Sequence, residues 1–260
     1  MIIPGFSEIE GQMWMWMMAM IRPGAAMIVT PVFGAANVPV QIRIILAFMI
    51  GMVATNSVSF DLPTDSAISL SNIIFVMGEV LLGLAIGFSL QLGYASVLIA
   101  GETISNSMGL GFASMADPQT GQSTPVIGQF LTIFATLLLL AIDGHLMLLA
   151  TIVESYAALP PGFAFLGADI LFGIVKFGGT LFTMGVLIAL PVGGALILIQ
   201  FIMGFLARTA PALNLFAVGI PVTITAGLVA LAVTAPIMAD TIIQSIGMGL
   251  DKAAMLSGGG

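Results

Sequence analysis

The chain has 260 residues, of which 59% are hydrophobic and 7% charged, with a mean hydropathy of +1.19. Water-soluble domains keep about 25% of their residues charged, so the composition excludes an ordinary soluble domain and points to helices built for lipid or a lipid-like protein interior. The 12 acids against 5 bases give a net charge of -7 with no basic cluster, which disfavours nucleic acid as a partner, and the lack of cysteine removes disulfides, thiol catalysis and thiolate metal sites together.

The first ten residues carry Glu8 and Glu10 but neither Lys nor Arg, so they lack the basic start of a cleaved signal peptide. The first apolar stretch, Met13 to Val32, is therefore expected to stay in the mature chain. It holds Met13, Met15, Met17, Met18 and Met20, read as helix packing and partner contact and not as pore lining, and one charge, Arg22. Ile44 to Phe60 is the second apolar stretch, and Asp61-Leu62-Pro63-Thr64-Asp65 after it supplies turn formers and capping side chains. The third helix, Ile73 to Ala100, is interrupted by Glu79. A carboxylate deep in a membrane helix costs roughly 2.5 to 3.5 kcal/mol on insertion scales, so Glu79 is expected to face protein or water. Arg22 is its candidate partner, and the two are the candidate buried charges; the competing reading is that either lies near a helix end and reaches out to the interface. Gly83 and Gly87 form a GxxxG pair suited to close helix packing.

The longest polar interval, Glu102 to Thr124, is rich in glycine and serine yet carries Met108, Leu110, Phe112 and Met115. Non-helical backbone is tolerated at membrane depth only where it is buried in protein or lines a cavity, so one reading is a re-entrant or plug element. The other is a surface loop tucked against its own helices. Glu102 and Asp117 flank the segment, as hinge anchors or as solvated loop acids. Thr124-Pro125 has the form of a cap followed by proline in the first turn and opens the fourth helix, Val126 to Ile142. Asp143-Gly144-His145 holds the sole histidine and reads as a helix break, since no second ligand stands at i+4, and Pro160-Pro161-Gly162 closes the segment that follows.

Two uncharged runs, Phe177 to Ala207 and Thr209 to Ala239, flank Arg208, which marks the tip of a helical hairpin. Pro191 with Gly193 and Gly194, and Pro221 beside Gly219, are weak points where a kink is expected, and Pro236 lies near the end of the last run. The expected fold is all-α and membrane-type, with about six long hydrophobic helices, some kinked or broken, packed as hairpins in a larger helical assembly. Arg43 and Arg208 fall on one side of such an arrangement and Lys176 and Lys252 on the other, which leans towards both termini outside the cytoplasm. The chain contains no HExxH, GxSxG or GxxxxGK pattern, and Gly109-Leu110-Gly111 lacks the third glycine of a dinucleotide site, so no enzyme activity, catalytic residue, cofactor or metal is assigned.

Arg22-Pro23-Gly24, the Asn37-Val38-Pro39-Val40-Gln41-Ile42-Arg43 stretch, Gly111-Phe112-Ala113 with Asp117-Pro118, Asp143-Gly144-His145 and Leu159-Pro160 occur in an order and spacing that together resemble the FliR family of flagellar export-gate proteins, with counterparts in virulence type III secretion. The resemblance runs from about Met13 to beyond Pro236 and covers nearly the whole chain. It implies a core subunit of the flagellar type III protein export gate in the bacterial inner membrane and flagellar basal body. It also implies FliP and FliQ homologues as partners, FlhB beside them, and unfolded flagellar proteins as the exported substrate. It further implies a FliP-like part over 1–165 with a pore plug at 107–123, whose bulky members are Met108, Leu110, Phe112 and Met115. A FliQ-like hairpin over 166–250 has Arg208 at its tip, and 251–260 forms a tail outside both. The rival is a small-solute or proton-coupled secondary transporter using Glu79, Asp143 and the broken last helices.

Overall fold

The computed structural model describes residues 6–58, 69–111, 126–162, 167–209 and 215–258. Among the described residues are eight α-helices and no strand: α1 (Phe6–Ala19), α2 (Ile21–Val29), α3 (Val40–Ser57), α4 (Leu70–Ser107), α5 (Val126–Ala141), α6 (Gly144–Ala158), α7 (Ala168–Thr209) and α8 (Leu215–Leu256). The fold is all-α, as the composition requires.

The first apolar stretch is two helices where one was expected. Pro23 has no N–H to give to the carbonyl of Ala19, four residues back, so the chain turns at Met20 and restarts at Ile21. The turn is carried by Met20 N–H on the Trp16 carbonyl at 3.1 Å and Gly24 N–H on the Met20 carbonyl at 2.9 Å. A second break separates α5 from α6, which are bent by 63°. There Asp143 takes a left-handed φ of 55°, a conformation that aspartate visits more readily than most residues. Its carbonyl opens α6 by accepting from the N–H groups of Leu146 and Met147 at 2.9 and 3.0 Å.

These breaks change the number of spans. Among the described residues, three helices are long and apolar enough to cross a membrane: α4, α7 over Leu171–Thr209 and α8 over Val218–Leu256. The bent α5–α6 pair is a fourth candidate. α3, over Val40–Asn56, is apolar but short for a span, and α1 and α2 are shorter still, so three or four spans of membrane length are present among the described residues. The last two helices stay helical through Pro191 and Pro221, where weak points were expected, and through Pro236, and α8 runs to Leu256, into the stretch expected as a tail.

The chain forms two compact units, the first of residues 1–93, 142–178 and 246–260 and the second of 94–141 and 179–245. In the first unit α2 and α3 pack on each other and on α1 and α6, with Trp16 edge-on to Phe48 at 6.0 Å between ring centres. Gly83 and Gly87 of α4 bring that helix against the backbone of α2: a Cβ on Gly83 would strike the carbonyl oxygen of Arg22, and one on Gly87 that of Ala26. The i, i+4 spacing of the glycines thus matches an i, i+4 pair of carbonyls on the partner helix. In the second unit the later part of α4 meets α5, where a Cβ on Gly101 would collide with the backbone of Gly128. Alongside, the Tyr94 hydroxyl lies 2.9 Å from the Thr132 carbonyl and 2.6 Å from the Thr136 hydroxyl.

Gly83→Ala is expected to lower the thermal stability of the purified protein in its native assembly by about 1 to 3 kcal/mol, the usual cost of overpacking a tight contact. Gly178 and Gly179 have no atom near an added Cβ, so alanine at either should be neutral or slightly stabilising. Thermal unfolding of the three variants decides, and equal midpoints would contradict the packing described.

Candidate functional site

Two places in the fold hold several of the residues singled out in the sequence. The first lies where α2, α4 and α6 meet in the first unit. Arg22 and Glu79 are 0% and 1% exposed, so neither head group reaches solvent, and they form a paired contact. Arg22 Nε donates to one carboxylate oxygen at 2.9 Å and Nη2 to the other at 3.0 Å. This two-pronged fit uses the planar guanidinium fork, which lysine could not reproduce.

The remaining donors are also engaged. Nη1 donates to the Ser155 hydroxyl at 2.8 Å and Nη2 to the Leu159 carbonyl at 3.0 Å, both at or just beyond the end of α6. The Ser155 hydroxyl in turn donates to the Ile152 carbonyl at 2.6 Å. Glu79 also accepts from the Gly162 N–H at 3.4 Å, so the ion pair draws in the turn that follows α6. The Arg22 guanidinium lies over the Tyr156 ring, 3.9 Å from its centre, a cation–π contact between two buried side chains.

Tyr156 links the charge cluster to the break in the first stretch. Its hydroxyl donates at 2.7 Å to the carbonyl of Ala19, the group that Pro23 leaves without an intrahelical partner. One side chain therefore supports the guanidinium with its ring and satisfies the orphaned carbonyl with its tip. Tyr156 and Ser155 were not singled out in the sequence, and no local signal marks them, because their partners stand 137 and 133 residues away.

The second place is the end of α4, in the second unit. Met108, one of the bulky members of the polar interval, is fully buried just beyond the last residue of α4. Its side chain lies over Gly227 of α8, where an added Cβ would come within 2.7 Å of Met108 Cγ. Gly109 follows with φ 82°, a left-handed conformation that glycine adopts without strain. Leu110 is half-buried, and Phe112, Met115 and Asp117 lie outside the described residues.

Arg208 is exposed in the last turn of α7, where a cation is favoured by the helix dipole. It closes one helical stripe with Ile197, Gln200, Phe201, Gly204 and Phe205 along an open groove of about 470 Å³. Arg43 closes the α2–α3 connection, with Nη2 donating to the carbonyls of Ala35 at 2.6 Å and Val38 at 3.0 Å. That gives the resemblance-bearing 37–43 stretch a structural role.

Residues 13–248 match the family of bacterial export proteins, family 1. The chain is 31% identical over 238 residues to the flagellar biosynthetic protein FliR of Escherichia coli K12, covering 89% of this chain and 90% of that protein. It is 32% identical over 218 residues to FliR of Pectobacterium carotovorum, covering 84% and 83% of the two chains. To FliR of Bacillus subtilis it is 33% identical over 221 residues, covering 84% and 85%.

Removing one member of a buried pair strands the other charge without water, at about 3 to 5 kcal/mol. Glu79→Ala should therefore cause a large loss of stability and of protein recovered from membranes, and Arg22→Met added to it should restore most of that loss. Thermal unfolding of the detergent-purified assembly measures both, and a single variant as stable as the parent would contradict the arrangement.

Proposed function

This chain belongs to the bacterial export proteins, family 1, the family of the flagellar biosynthetic protein FliR, and we propose that it is a core subunit of the flagellar type III protein export gate. On this reading its neighbours are FliP and FliQ homologues, with FlhB beside them. The assembly sits at the flagellar basal body in the bacterial inner membrane, and unfolded flagellar proteins are its cargo.

The observation that carries the reading is bare apolar length. α7 and α8 have 42 residues each, about 63 Å at 1.5 Å per residue, against a bilayer core of about 30 Å. Only 22% and 17% of their most apolar windows are buried by the rest of this chain. Phe172, Val175, Leu198, Phe201, Phe205 and Val233 are each at least 66% exposed. Lipid can cover a bilayer's height of such surface and no more, so the remainder calls for protein. A secondary transporter working alone has no use for that excess.

The FliP-like part is 1–165 and the FliQ-like part 166–250, the latter being the α7–α8 pair with Arg208 at its cytoplasmic tip. The segment 107–123 is the plug: Met108, seated over Gly227, anchors it, and Leu110, Phe112 and Met115 close the pore. Methionine suits this work because its flexible thioether chain repacks without strain. A hydrophobic constriction blocks ions by excluding water, and smaller side chains widen it.

Trimming Leu110, Phe112 and Met115 together to alanine should leave assembly with FliP and FliQ homologues intact and let ions through the resting gate. Conductance across vesicles carrying the purified assembly measures this. An unchanged conductance in correctly assembled gates would set the plug reading aside. Transport of a small solute by the chain alone would set the gate reading aside.

A further inference from the structure

We infer that Gln200, Thr223 and Gly227 are positioning residues that latch the end of α4 and so set where the chain leaves that helix. The inference rests on the export-gate reading and names a device within it.

The last carbonyls of any α-helix have no intrahelical partner and must be satisfied elsewhere. At the end of α4 the first of them are closed locally, with Gly109 in the left-handed conformation. The Leu110 N–H donates to the Ser105 carbonyl at 3.1 Å and the Gly109 N–H to the Asn106 carbonyl at 3.0 Å, the paired bonds of a Schellman ending. The two carbonyls after these are taken by side chains from two different helices. Gln200 Nε2 of α7 donates to the Ser107 carbonyl at 2.9 Å, and the Thr223 hydroxyl of α8 to the Met108 carbonyl at 3.0 Å. One turn further along α8, Gly227 leaves the space that the Met108 side chain fills. Three residues on two helices thus converge on two consecutive residues of a third, all within one compact unit.

The bonds are also easy to release. The Thr223 hydroxyl lies 3.0 Å from the Ile220 carbonyl of its own helix, so it can drop Met108 without stranding a donor. Gln200 is exposed, so water can replace its partner. On opening both donors keep a partner, and the cost is confined to the Ser107 and Met108 carbonyls that lose theirs. Any shift of α7 or α8 along α4 is passed directly to Ser107 and Met108, hence to Leu110.

The test uses the assembled gate with a spin label at Leu110→Cys. Thr223→Val keeps the shape of the side chain and removes the hydroxyl, while Thr223→Ser keeps the hydroxyl. Thr223→Val should raise the mobile fraction of the label about fivefold, the weight of one net hydrogen bond, and raise resting ion leak with it, while Thr223→Ser reads as the parent. Should Thr223→Val fail to assemble, Gln200→Leu, on an exposed side chain, carries the same test. Equal mobility in the valine and serine variants would overturn the inference. So would raised mobility without leak in a gate that does leak when Leu110, Phe112 and Met115 are trimmed. If the trimmed gate does not leak, the plug reading fails, and the latch then stands or falls on the mobility of the label alone.

Discussion

The ion pair between Arg22 and Glu79 is the constraint on which the first unit depends, because it fixes three helices at once in a place that water does not reach. A buried charge is tolerable only when its partner and its remaining hydrogen bonds are all in register. That requirement dictates how α2 and α4 approach each other. Gly83 and Gly87 let the helices come close enough for Arg22 to meet Glu79 one turn away on α4. Tyr156 then closes the two gaps the arrangement leaves, the face of the guanidinium and the carbonyl freed by Pro23. α4 is also the best covered of the long helices, with half of its apolar window buried, and in the second unit it packs against α5 and ends under side chains of α7 and α8.

The same chain that seals one charge pair so thoroughly leaves α7 and α8 largely bare. A protein that buried its charges for stability while exposing this much apolar surface would be ill suited to life as a monomer, in water or in lipid. Membership of the bacterial export proteins supplies the context in which that surface is useful. On the gate reading, strength and yield are divided between the units. Charge and close backbone packing hold the first, while the end of α4 in the second is held by a few replaceable hydrogen bonds and a methionine.

Much of this was legible in the chain. Low charge and long apolar runs give the helices, the lone Glu79 in its apolar surroundings calls for a partner, and Arg22 is the nearest candidate in the preceding apolar stretches. The GxxxG pair announces a close contact without saying with what. The break at Met20 could have been read from Pro23, since the carbonyl it frees is always four residues back. Where the apolar stretches break was not legible, because uninterrupted hydrophobicity says nothing of where a helix stops. α1 and α2 are apolar yet short, and α5 bends into α6 at a residue in a left-handed conformation. Ser155, Tyr156, Gln200 and Thr223 could not have been found, because each is an ordinary polar residue on a helix whose partner is fixed by packing over a long stretch of chain.

The central claim is that the apolar surface of this chain is made to be covered by other proteins. Expressing it alone and together with FliP and FliQ homologues, then measuring the size and stability of what mild detergent extracts, tests that claim most directly. The account predicts aggregation or rapid loss of the lone chain and recovery of a stable complex of defined mass from the combined expression. A monodisperse, folded monomer that gains neither partner nor stability from coexpression would contradict it.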